Sequence, residues 1–159
     1  MLFITSLLFG VLSASFALVI EILILINALS SPDFFVLLGA AIIEELSKYI
    51  FLKQYAKRYT YIIPSSIKQA SILGASFGLG FAILELSLMS YKLQIITIPF
   101  WAIFGSASIH IITSIIFAVF LFSFYQKRFT DLTAIALAIF LHILYNILVF
   151  VSLFGFVLL

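Results

Sequence analysis

Of 159 residues, 9% are charged, 65% are hydrophobic and 19 are phenylalanine, with a mean hydropathy of +1.36. A soluble domain carries about 25% charged residues, and a chain this short cannot hide so much apolar surface from water, so a soluble fold is excluded. The net charge of +2 is too small to argue for nucleic acid, and the absence of cysteine removes disulfide and thiolate chemistry.

A bilayer core of about 30 Å takes roughly 20 apolar residues per helix, and charges punctuate this chain at about that interval. The composition predicts an all-α, polytopic membrane protein: about five transmembrane helices in one bundle, forming a single domain over 1–159. The spans fall at about 2–28, 34–53, 67–90, 97–125 and 132–157. Turn formers fill the connections, including Ser30-Ser31-Pro32-Asp33, Pro64-Ser65-Ser66 and Pro99. Asp33 and Asp131 suit helix starts, where a carboxylate caps free N–H groups.

The first span lacks a basic leader. Its small residues at 13–17 run directly into "LVIEILILI", so an uncleaved helix is expected rather than a signal peptide. Glu21 within it reads as a packing group or as the partner of a basic side chain elsewhere.

The second span contains "AAIIEELSKYIF", with Glu44, Glu45 and Lys48 in an otherwise apolar or small stretch. On insertion scales these three groups cost roughly 8–10 kcal/mol, and the eleven strongly apolar residues of the span return roughly 3–7. The polar trio wins, so this helix must face the bundle interior or a wet cavity with its charges paired. Glu44 and Lys48 are spaced i, i+4, and Glu45 and Lys48 i, i+3, so either pair can meet. The second carboxylate is then left over. A polar knot that only fixes packing is the alternative.

In the third span Gly74, Gly78, Phe81 and Glu85 fall on one narrow stripe. Gly74-xxx-Gly78 allows another helix to approach closely, and Glu85 points along that packed face. In the fourth, "GSASIHIITS" surrounds His110 with small residues that suggest close contact or a cavity. The fifth carries "HILYN", in which His142 and Asn146 share a face. Both can aim N–H groups at one point, as an oxyanion clamp does, or they can simply bond neighbouring helices.

Basic residues set the expected orientation. Lys53, Lys57, Arg58 and Lys68 flank the second connection, and Lys127 and Arg128 lie in the fourth; the third has Lys92 and the first has none. The N-terminus and connections two and four are therefore expected in the cytoplasm and the C-terminus outside.

At about 1.5 Å per residue, the ionisable groups of four spans fall near one depth at mid-bilayer. Carboxylates, two histidines and an asparagine suit hydrolysis. A carboxylate can take a proton from water, and His or Asn can stabilise an amide oxyanion. A glutamate with two histidines can also hold zinc with water in the open position. HExxH is absent, which excludes a zincin.

Taken in order, Glu44-Glu45-xx-Lys48, Phe81-xxx-Glu85, His110 and His142-xxx-Asn146 resemble the PrsW family of intramembrane proteases, related to the CAAX prenyl endopeptidases and bacteriocin-processing enzymes. Those relatives show EExxxR, FxxxH and HxxxN. Here the basic residue is Lys, one position earlier, and Glu85 stands in place of His; both departures match PrsW. The resemblance covers about residues 39–150, inside a motif-bearing core of about 34–157. It implies peptide-bond hydrolysis in a membrane cavity. Glu44 or Glu45 would be the base that activates water, Glu85 would share that water or a metal, His110 and His142 would orient or ligate, and Asn146 would stabilise the oxyanion. Lys48 would be a structural ion-pair partner. A divalent metal such as zinc would have Glu85, His110 and His142 as ligands. The implied substrate is a membrane protein, with a single-span anti-sigma factor as the family example. A small proton or ion carrier using the same groups is the rival function, and a non-catalytic scaffold is a further one.

Overall fold

Each apolar stretch forms one α-helix in the computed structural model: α1 (Leu2–Leu25), α2 (Phe34–Arg58), α3 (Ile67–Lys92), α4 (Phe100–Ser123) and α5 (Arg128–Phe154). The structure describes residues 2–25, 34–58, 64, 66–92, 100–123 and 128–154. The expected turn at 30–33 with its Asp33 cap, and Pro99, lie outside these residues. The protein is thus the all-α, multi-pass bundle that its composition predicts. Among the described residues α1, α3, α4 and α5 are each long and apolar enough to cross a membrane. α2 holds the charged trio and falls short on composition; it packs against α1, α4 and α5 instead.

The surface of the bundle is its apolar part. Leu12, Phe16, Val19, Leu132, Phe140, Leu144 and Leu148 are all exposed, whereas Glu45, Lys48, His110 and His142 are buried. Hydrocarbon outside gives large side chains no reason to hide, and an ionised group has every reason to do so.

Two helix ends differ most from the expected bounds. α2 runs to Arg58 rather than 53, and α5 starts at Arg128 rather than 132. One cluster accounts for both. Lys53 Nζ donates to Asp131 Oδ2 at 2.8 Å and to Tyr49 Oη at 2.6 Å, and Tyr49 donates to the same carboxylate at 2.6 Å. Asp131 therefore lies in the first turn of α5, where a negative charge still complements the free N–H groups, and ties that turn to α2. At the start of α3 the Ser66 hydroxyl accepts from the Gln69 N–H at 3.2 Å, a helix cap just after Pro64.

α3 is the central staff, packed on α1 and on α4. Its glycines set the second contact. A Cβ on Gly74 would lie 2.6 Å from the Ser114 carbonyl oxygen, and one on Gly78 would lie 2.5 Å from that of His110. The Gly74-xxx-Gly78 pair thus brings α4 backbone to backbone, and the backbone it meets belongs to His110 itself. Phe77, Phe117, Leu52, Leu121 and Ala138 pack as one buried core beneath.

Adding a methyl group at Gly78 forces α3 and α4 apart. We expect Gly78→Ala to cost about 1–3 kcal/mol, read as a lower unfolding midpoint in mixed micelles, while Leu79→Ala on the exposed face changes it far less.

Candidate active site

The buried charges are organised around Glu45. Lys48 Nζ donates to Glu45 Oε1 at 2.6 Å, and both side chains are fully buried. The i, i+3 pair is therefore the one that forms, and Glu44 is the carboxylate left over. Lys48 also donates to Thr113 Oγ1 at 3.1 Å, and Thr113 in turn donates to Glu45 Oε1 at 3.3 Å. The Phe81 ring lies 4.7 Å from the ammonium, a cation–π contact. The same ring packs on His110 at 4.8 Å between centroids. Phe81 thus wedges the charged pair and the histidine into fixed positions.

Glu45 Oε1 also lies 2.7 Å from His142 Nδ1. A carboxylate that is paired with Lys48 can only accept, so Nδ1 carries the proton and donates. The Nε2 lone pair of His142 is then turned towards Glu44, whose Oε2 is 3.6 Å away. His110 is held in a matching way. Its Nε2 contacts Glu85 Oε2, and its Nδ1 faces Glu44 Oε2 at 4.0 Å. The two imidazoles meet nearly edge to face at 5.1 Å. Ser106 donates weakly to both Glu85 oxygens at 3.4 Å.

One ligand atom from each of Glu44, His110 and His142 falls within 4.8 Å of the others. Among the described residues Glu44 Oε2 and His110 Nδ1 are buried without a hydrogen-bond partner, and a cation between them would satisfy both. The donor set suits one too: one carboxylate and two imidazoles, each imidazole backed by a further carboxylate on its far nitrogen. These residues fit a divalent metal. Glu85 backs His110 from outside the trio.

The other expected residues are placed as follows. Asn146 is half-buried and donates to the Leu37 carbonyl at 3.4 Å, tying α5 to the start of α2. Glu21 lines a small cleft together with Glu44 and Glu85. The small residues before His110 have a definite use. A Cβ on Gly105 would lie 2.5 Å from the Tyr145 ring, and the Tyr145 hydroxyl donates to the Ala102 carbonyl at 2.6 Å. Ser106 is one of the small residues expected around His110, Thr113 carries no such expectation, and the two lie at −4 and +3 from His110. That spacing is the signal that reveals them.

Fold and site together define a multi-pass helical bundle with a buried cluster of carboxylates and histidines. The family model of the PrsW intramembrane metalloproteases matches residues 1–159, and the chain belongs to that family. It is an intramembrane protease, and its substrates are membrane proteins. No curated protein and no solved structure matches the chain.

Removing one partner of the buried pair strands the other. Lys48→Met should destabilise the fold by about 3–5 kcal/mol. Adding Glu45→Gln should recover much of that loss, a coupling that a double-mutant cycle of unfolding free energies measures directly.

Proposed function

We propose that the Glu44–His110–His142 trio is the reactive centre and that it holds a divalent cation, zinc being the ion whose ligand preferences suit it best. The observation that carries this is the convergence of three buried donor atoms within 4.8 Å, with Glu45 and Glu85 fixing the far sides of the two histidines. Such a cation supplies Lewis acidity, polarising the scissile carbonyl and making water more acidic.

The chain's own residues do the rest. Lys48 and Thr113 hold Glu45, and Glu45 keeps the proton on His142 Nδ1 so that Nε2 stays available. In this reading Glu45, fully buried and accepting from Lys48, Thr113 and His142, positions His142, and Glu85, which lines the cleft beside Glu44 with a side chain 27% exposed, is the carboxylate that takes the proton from water. The reaction is then glutamate-assisted, with Glu44 as ligand. Asn146, one turn from His142, retains a second amide N–H for the oxyanion of the tetrahedral intermediate.

The substrate class we favour is a single-span membrane protein, of which anti-sigma factors are the family example. The N-terminus and the connections after α2 and α4 lie in the cytoplasm in this reading. The basic bias supports it, and the Lys53–Asp131 pair supports only that the end of α2 and the start of α5 share one end of the bundle.

Purified wild type should cleave a single-span reporter in proteoliposomes. Glu44→Gln, His110→Ala and His142→Ala should each lower the rate at least about 100-fold while the protein stays folded. A chelator should abolish cleavage, and metal content should approach one ion per chain in wild type and fall in His142→Ala. Undiminished cleavage in chelator would shift the reading to a glutamic mechanism with Glu44 as base. Proton flux without cleavage would favour the carrier.

A further inference from the structure

We propose that a cleft between α1 and α3 is the inlet through which water reaches this site, and that Glu21 on α1 is a positioning residue that keeps the inlet wet. What the water is used for rests on the protease reading above; whether the cleft is wet does not.

The two walls match. On α1 the cleft is lined by Ala14, Ala17, Leu18 and Glu21, and on α3 by Phe81, Leu84, Glu85 and Leu88. Both sets follow i, i+3, i+4, i+7 spacing, so each is a single stripe, and the stripes face each other. One turn earlier the same helices touch. A Cβ on Gly10 would overlap the Phe77 carbonyl, a Cβ on Gly80 would overlap that of Leu7, and Ser6 donates to the Leu73 carbonyl at 2.9 Å. The pair is closed at that level, and one turn on Ala14, Ala17 and Phe81 pack as a buried apolar wall. The cleft lies against that wall, and Glu44 of α2 lines it together with Glu21 and Glu85.

Accessibility within the site follows the same direction. Glu45, Lys48 and His110 are fully sealed and the His142 side chain is 4% exposed, while Glu44 is 13% and Glu85 27% exposed. The site therefore meets its surroundings on the cleft side. Size selects the occupant. The cleft holds about 40 Å³, enough for two or three waters and too little for a peptide segment. Chemistry agrees, because three carboxylates on one small cleft at hydrocarbon depth are tolerated only against water or protein. Ala14, Ala17 and Phe81 pack together as the buried wall of the cleft, and Leu18, Leu84 and Leu88 complete its apolar lining.

The chain contains no cysteine, so a single introduced thiol reports cleanly. In proteoliposomes, a charged methanethiosulfonate should modify Leu18→Cys at least tenfold faster than Val19→Cys, its neighbour on the exposed face. Leu84→Cys gives the same reading from α3 should Leu18→Cys fold poorly. Modification should lower reporter cleavage at least tenfold for Leu18→Cys and leave Val19→Cys unchanged. In the Leu18→Cys background Glu21→Leu should slow labelling, and by itself it should lower kcat severalfold with KM unchanged; Glu21→Gln should restore most of both. Equal labelling at 18, 84 and 19 would overturn the inlet whatever the enzyme does. Selective labelling at 18 or 84 with no cleavage by any variant, wild type included, would uphold the inlet and count against the protease reading.

Discussion

The bundle is organised by the ion pair between Lys48 and Glu45, 2.6 Å apart and shut off from solvent. At mid-bilayer there is no water to solvate an isolated charge, so neither residue is tolerable without the other. Their mutual dependence fixes how α2 can turn. With Glu45 turned to Lys48, Thr113 and His142, Glu44 is directed to the opposite side of the cluster. That Glu44 is the carboxylate left unpaired with Lys48 is thus a geometric consequence of neutralising its neighbour.

A membrane bundle cannot rely on hydrophobic collapse between helices, since lipid is as apolar as any side chain. Close packing and internal polar contacts must do that work, and here the two are coupled. Gly74 and Gly78 let α4 rest on α3, which delivers His110 to Glu85. Phe81, on the same face of α3, fills the space between His110 and the Lys48 ammonium. The groups that assemble the site are therefore also the groups that hold the helices together. Disturbing either function should disturb the other.

Hydrolysis within a membrane poses two opposed demands. The polar groups must be shielded from lipid, and one of the reactants is water. In the proposed reading the cluster meets both by being sealed on the Glu45–Lys48 side and graded in exposure through Glu44 to Glu85. Each histidine has one nitrogen committed to a carboxylate and the other facing Glu44. In that reading the arrangement fixes tautomer and direction in advance, as preorganisation requires. Membership of an intramembrane metalloprotease family accords with such a design.

The amino-acid sequence determined the class of the molecule and most of the cast. Five apolar stretches of membrane length, an unaffordable trio in α2, a glycine stripe in α3 and histidines at one depth are all local or periodic features, and periodicity is legible along a chain. Their partners were not. Spacing allowed Lys48 to take Glu44 or Glu45, and only the position of Thr113 and His142 on other helices selects Glu45. Spacing likewise left the histidines' carboxylate partners open, and helix rotation set Glu44 between the rings with Glu85 behind one of them. Spacing leaves Glu21 as a packing group or the partner of a basic side chain, and only the packing of α1 beside α3 sets it on a cleft with Glu44 and Glu85. Sequence reports which face of a helix a residue occupies; the angle at which faces from distant segments meet is a property of the packed bundle alone.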